Sequence, residues 1–259
     1  MNQFFIFIKK ENTESLRNYR WLWMPLLFIL LGIMQPVTTY YLPKIIDSLG
    51  DLPEGTVIEI PLPHAPEVLF STLTQQFNMI GLLVIVLAFM SSVTAERKNG
   101  SAALILVKPV SFSSYMIAKW VMALLIVWFS YFMGMMANWY YTYQLFELVN
   151  LSLMLKGMFL FGLWLTFIVT LIFFFGSMSN TSGVTAALTL VVTIVLSFLS
   201  SVLSEKLDWL PSNILKYTGE LWTNGYLSKG TIPTVIITIC LIIILIVSSL
   251  SIFKRKELI

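Results

Sequence analysis

The sequence predicts an all-α integral membrane protein: six transmembrane helices in one domain spanning 1–259, with a short amphipathic helix ahead of the first. Three observations carry this. Of the 259 residues, 58% are hydrophobic and only 11% are charged, whereas a soluble domain has about 25% charged residues. The mean hydropathy is +0.85. Charge-free runs also recur at about the 20 residues that a helix needs to cross a bilayer.

The first twenty residues come before any such run. Phe4, Phe5, Ile8 and Leu16 interleave with Lys9, Lys10, Glu14 and Arg17. The clustered aromatics fit a helix over 1–20 lying in the membrane interface. The alternative is an unstructured tail that only supplies positive charge. No small-residue cleavage site follows the apolar run from Trp21, so a cleavable signal peptide is not expected.

The first span is expected over 21–42, closed by Pro43, the second over 77–94, and the third over 116–138 with Lys119 near its start. Between Lys156 and Glu205 lie 48 residues without a charge. As one helix they would be roughly 72 Å long, too long for one crossing. The small polar run "GSMSNTSG" (176–183) divides them into spans over 153–175 and 183–203. The sixth is expected over 232–253.

An even number of spans puts both termini on one side. The segments on that side hold eleven Lys and Arg: Lys9, Lys10, Arg17, Arg20, Arg97, Lys98, Lys108, Lys119, Lys254, Arg255 and Lys256. The other side holds five: Lys44, Lys156, Lys206, Lys216 and Lys229. Positive charge is retained inside, so the termini are expected in the cytoplasm. Of the two large outer segments, 43–76 reads as an irregular loop with at most one strand, at "TVIEI". The other, 204–231, mixes Trp209, Tyr217, Trp222 and Tyr226 with leucines and reads as short helices resting at the outer interface.

Much chemistry is excluded. No ionisable residue falls mid-span, and Lys119 and Lys156 are near enough to span ends to snorkel outward. An ion-coupled carrier would need a buried acid or base, and a voltage sensor an arginine ladder. Metalloprotease, serine-hydrolase and phosphate-loop motifs are missing. His64 has no second ligand at metal spacing, and the lone Cys240 reads as an apolar thiol. The basic residues form pairs and triplets rather than a stripe, which argues against nucleic acid. Small and hydroxylated residues remain in the spans: Gly157 and Gly162 in the fourth, and Gly183, Ala186 and Ala187 in the fifth. Ser91, Ser92 and Thr94 end the second, and Thr185, Thr189 and Thr193 stripe the fifth. They fit either close packing or a polar path.

The segment between spans two and three stands apart. Glu96, Arg97 and Lys98 end a helix leaving the membrane. Asn99-Gly100 suits a sharp turn, and Ser101 can cap a helix beginning at Ala102. "AALILV" (102–107) is apolar but far too short to span, and Pro109 stops it. The product is a short apolar helix at the inner surface, which needs a cover of lipid, bundle or another protein.

The run "AERKNGSAALILVKPVSFSSYMIAKW" (95–120) resembles the signature of type 2 ABC-transporter permeases. Glu96, Arg97, Gly100, Pro109, Val110, Ser111 and Lys119 match at the pattern's spacing, and Ser101 stands for its Thr. Ala103 stands where an acid is frequent, and Phe112 where an Arg is frequent. The resemblance implies that the 95–119 segment provides a cytoplasmic coupling helix resting in a groove of a separate ATPase subunit. Glu96 and Arg97 would orient it, Gly100 and Pro109 set its ends, and Leu104, Ile105 and Leu106 supply its apolar contact. The chain would then be the permease subunit of an ABC exporter in a bacterial plasma membrane. It would pair with a second permease chain, identical or sister, and bind no cofactor of its own, ATP and Mg being held by the partner. It would not itself be an enzyme. A lipid-like, peptide or antibiotic-type cargo suits its aromatic, Met-rich spans. Two alternatives stand beside this: a membrane sensor or regulatory subunit that transports nothing, and a secondary carrier.

Overall fold

The structure is a computed structural model that describes residues 3–48, 61–95, 111–203 and 207–257. Among these, all regular structure is helical. We label the helices α1 (Gln3–Arg17), α2 (Arg20–Ser48), α3 (Ala65–Phe89), α4 (Phe112–Leu145), α5 (Leu151–Met178), α6 (Ser182–Val202), α7 (Asn213–Asn224) and α8 (Thr231–Glu257). Six of them, α2 to α6 and α8, are long and apolar enough to cross a membrane. The protein is therefore a multi-pass helical membrane protein.

α5 is the axis of the bundle. Two-thirds of its most apolar stretch is buried, against 22% for α6 and 17% for α8. Trp164, Phe161 and Ile168 fill the space around it. α2 and α4 pair along their length and touch at Gly134, where an added Cβ would sit 2.5 Å from the Phe28 carbonyl oxygen. Small residues let helix backbones approach this closely in a membrane. On α5, Gly157 makes room for the Trp222 indole and Gly162 for Trp128. Gly183 has nothing within 4 Å of where a Cβ would be, so the expected close approach on the fifth span is absent there. The threonines of α6 do turn inward. Each donates to its own helix, Thr189 to the Thr185 carbonyl (2.8 Å) and Thr193 to that of Thr189 (2.7 Å), which is packing rather than a polar path.

The first two spans differ from expectation. Pro43 does not close α2, which runs on to Ser48 with three prolines inside it. The second span begins at Ala65, well before residue 77. His64 is extended, Pro66 occupies the first turn and Glu67 lies beside it, all favourable at a helix start. The polar run "STLTQQFN" hides this start in the sequence. In the structure Thr72–Gly81 is a π-helix, and it buries the polar groups against partners. Thr72 Oγ1 donates to Asn138 Oδ1 (3.1 Å), Gln76 Nε2 to Gln35 Oε1 (3.1 Å), and Trp164 Nε1 to Asn78 Oδ1 (2.9 Å). The segment "TVIEI" lies outside the described residues.

The second outer segment also sits deeper than expected. α7 does not rest on the surface: Ile214, Tyr217, Thr218, Gly219, Leu221 and Trp222 are buried. Trp222 Nε1 donates to the Leu153 carbonyl (3.0 Å), pinning α7 to the start of α5. Gly225 closes α7 in the left-handed conformation (φ 79°) that favours glycine. Burial pushes the Tyr217 phenol above its ordinary range, and the Asp208 charge pushes it further. Its hydroxyl donates to the Asp208 carbonyl (3.2 Å).

Candidate functional site

The end of the bundle that carries both termini also carries the two ends of the 96–110 segment. The predicted site residues Glu96, Arg97, Gly100, Ser101, Leu104, Ile105, Leu106 and Pro109 all lie outside the described residues. What the structure describes is their frame: the end of α3, the start of α4, the whole of α1 and the end of α8.

α1 is the main surprise of that frame. Its inward face is Phe7, Glu11 and Ser15, spaced by four, so that they stack on one side of the helix. That face lies on the first turns of α4. Phe5 and Leu16 point away from the bundle, 62% and 55% exposed. Glu11 Oε1 accepts from Lys119 Nζ at 2.8 Å. Lys119 is buried, its side chain 3% exposed, and Glu11's is 11% exposed. The expectation that Lys119 snorkels outward is overturned: its ammonium turns into the bundle because a carboxylate is waiting there. Taking both charges out of water costs several kcal/mol, so the pair persists only through close geometry and further partners. Those partners are present. Lys10 Nζ lies 3.2 Å from the same Glu11 oxygen. The Tyr115 ring lies 5.3 Å from Lys119 Nζ and 5.7 Å from Lys10 Nζ, within cation–π range. Phe7 meets Tyr115 edge-on, and Phe253 of α8 stacks on it.

The exit of the 96–110 segment is held in two ways. Ser111 caps α4, its hydroxyl accepting from the Ser114 N–H (3.4 Å). Its own N–H donates to Gln3 Oε1 at the start of α1 (3.1 Å). On the entry side, Thr94 and Ser182 share a hydroxyl hydrogen bond of 2.9 Å, tying the turn that follows α3 to the start of α6. Trp21 Nε1 donates to Asn12 Oδ1 (3.0 Å), fixing α1 against α2. Every element that meets the segment's ends is thus bonded to another.

Lys119 is a member of the 95–120 pattern but not one of the expected coupling residues, and Glu11, Gln3, Phe7 and Tyr115 are not expected in the site from the sequence. A signal for Glu11 existed, since it shares a helical face with Phe7 and Ser15. The pairing with a lysine 108 positions later has no local signature. Among the described residues the arrangement holds no nucleophile–base pair. Among the described residues no three His, Cys, Asp or Glu side chains gather as metal ligands. What it offers is a mechanical linkage between a terminal helix, two spans and the segment joining them.

No family model matches the chain. Over 250 residues, covering 96% of this chain and 96% of the relative, it is 32% identical to an uncharacterized transmembrane protein, YxlG of Bacillus subtilis (strain 168).

Proposed function

The chain belongs to the family of the Bacillus subtilis transmembrane protein YxlG, and from that premise we propose that it is the permease subunit of an ATP-driven ABC exporter. A separate ATPase subunit binds the coupling segment 96–109 in the cytoplasm, and two permease chains enclose the export path for a lipid-like, peptide or antibiotic-type cargo. α1 lies in the inner interface, with Phe5 and Leu16 turned toward lipid. The observation that carries this reading is the 95–120 run, whose last charged member, Lys119, is the residue buried against Glu11. A plain topogenic cluster has no use for that linkage. A segment that receives force does, because displacement at Ser111 then reaches α1 and α4 together.

The chain in this reading has no ATP site of its own. When the ATPase dimer closes on ATP, Glu96 and Arg97 keep the coupling helix in register with the ATPase surface, and Leu104, Ile105 and Leu106 carry the apolar contact. The movement passes through Gly100 and Pro109, the two ends of the coupling helix, into α3 and α4. The test is affinity purification of the tagged chain from its native membranes in mild detergent. ATPase activity is expected to co-purify, and the double variant Glu96→Ala, Arg97→Ala is expected to lose at least tenfold of it at unchanged permease yield. Purification of the chain with no ATPase, wild type and variant alike, overturns the reading in favour of a membrane sensor.

A further inference from the structure

A groove opens sideways between α4, α5 and α8 at the end of the bundle opposite the termini. Its volume is about 660 Å³, within the range of about 300–1,000 Å³ typical of ligand sites. Its walls are apolar: Trp128, Phe159 and Leu163 on one side, and Ile232 and Ile236 on the other. Phe159 and Ile236 are 61% and 55% exposed, so the groove faces outward from the bundle. Two polar residues line it, one exposed and one buried. Lys156 lines it and makes no ion pair with any described residue. Thr231, the first residue of α8, also lines it. It is 3% exposed, and its hydroxyl has no hydrogen-bond partner among the described residues.

We infer that this groove holds one anionic phospholipid, its phosphodiester at Lys156 and Thr231 and an acyl chain along the wall below. The inference goes beyond the exporter reading and does not depend on it. Three features choose the occupant. First, an exposed cation above an apolar slot matches an anionic head on an apolar tail, and a lysine near a span end sits at headgroup level. Second, Thr231 leaves a hydroxyl unsatisfied in an otherwise apolar setting. That is costly unless a ligand oxygen completes it. Third, Leu163 lies two turns further into the membrane than Lys156, about 10 Å along the helix. That depth is within the reach of one leaflet, about half of a 30 Å core. The wall is also shaped for the purpose. Gly162 lets the Trp128 ring lie against α5, and the indole Nε1 is spent on Thr166 Oγ1 (3.0 Å), so the ring is an apolar panel rather than a donor.

The experiment uses the full chain in nanodiscs of phosphatidylcholine, with phosphatidylglycerol added in steps and bound lipid counted by native mass spectrometry after gentle ejection. The expected result is one retained phosphatidylglycerol at low mole fraction, with phosphatidylcholine not retained. Lys156→Gln weakens retention about fivefold, roughly the worth of one basic residue at a membrane surface. Lys216→Gln, at the same end but off the groove, leaves it unchanged. Ile236→Trp fills the slot and abolishes retention. Should that variant fail to elute as the wild type does, Leu163→Phe takes its place. Undiminished retention in Lys156→Gln, or in the filled-groove variant, overturns the site. So does equal competition by glycerol 3-phosphate, which would make it a phosphate site without a lipid. Rapid disulfide dimerisation of Ile236→Cys in a Cys240→Ser background also overturns it, by giving the face to a second copy of the chain.

Discussion

Glu11 and Lys119 show how much rests on one pair of side chains. Each charge is withdrawn from water, and each is tolerable only while the other is there. Removing one partner of such a pair costs about 3–5 kcal/mol, while replacing both with apolar residues is often close to neutral. We therefore expect Glu11→Gln and Lys119→Met to lower the thermal midpoint of the purified protein sharply when made singly. The double variant Glu11→Leu, Lys119→Met should return most of the loss. A double-mutant cycle read by thermal unfolding in detergent measures this, and additive losses would show that the two side chains act separately. In the exporter reading the double variant is also informative in activity: a stable protein whose ATPase stimulation falls would separate the strut from its contribution to stability. At this scale the sequence was half legible. Lys119 stood out as a lysine at the start of an apolar run, whereas its partner is one of two acids near the N-terminus, Glu11 and Glu14, and no charge pattern distinguishes the one that is buried.

At the scale of elements, the long apolar helices were the most legible. The charge-free stretch from 157 to 204 had to break at its one polar run, and α5 and α6 meet there. α3 was legible only in its apolar half. Its other half is polar because those groups serve neighbouring helices: Thr72 reaches Asn138, Gln76 reaches Gln35 and Asn78 reaches Trp164. A hydropathy reading sees polarity and assigns a loop, because pairing across helices is a tertiary fact. The π-helix that sets their register gives a prediction. Deleting Thr74 restores α pitch by turning the part of α3 before it about 100° relative to the part after it. Thr72 then leaves Asn138, and the protein is expected to lose monodispersity in fluorescence-detected size exclusion. Gln75→Ala, at an exposed position beside it, should behave as wild type. An intact deletion variant would show that the register is unimportant.

For the whole molecule, the count of spans and their even number were legible from composition, and the bundle bears out six membrane-length helices. The depth of α7 was not. Its mixed aromatic and charged sequence suits an interface, yet the Gly157 and Gly219 gaps on its neighbour and on itself let it sink between spans. Orientation belongs to this scale too. In a Cys240→Ser background, Tyr226→Cys is expected to react with a membrane-impermeant maleimide in intact cells, and Asn99→Cys only once the membrane is opened. The reverse pattern would place the 96–109 segment away from cytoplasmic ATP.

α6 is fastened differently from the rest. One end is tied by the Thr94–Ser182 hydrogen bond, and the other by Ser212 Oγ donating to the Leu196 carbonyl (2.8 Å). Between these knots its threonines bond only to their own helix, and its outer side is Val191, Ile194, Val195 and other aliphatics. A sideways displacement of α6 at mid-length would therefore break none of its described side-chain hydrogen bonds to neighbouring elements, whereas one at either end would.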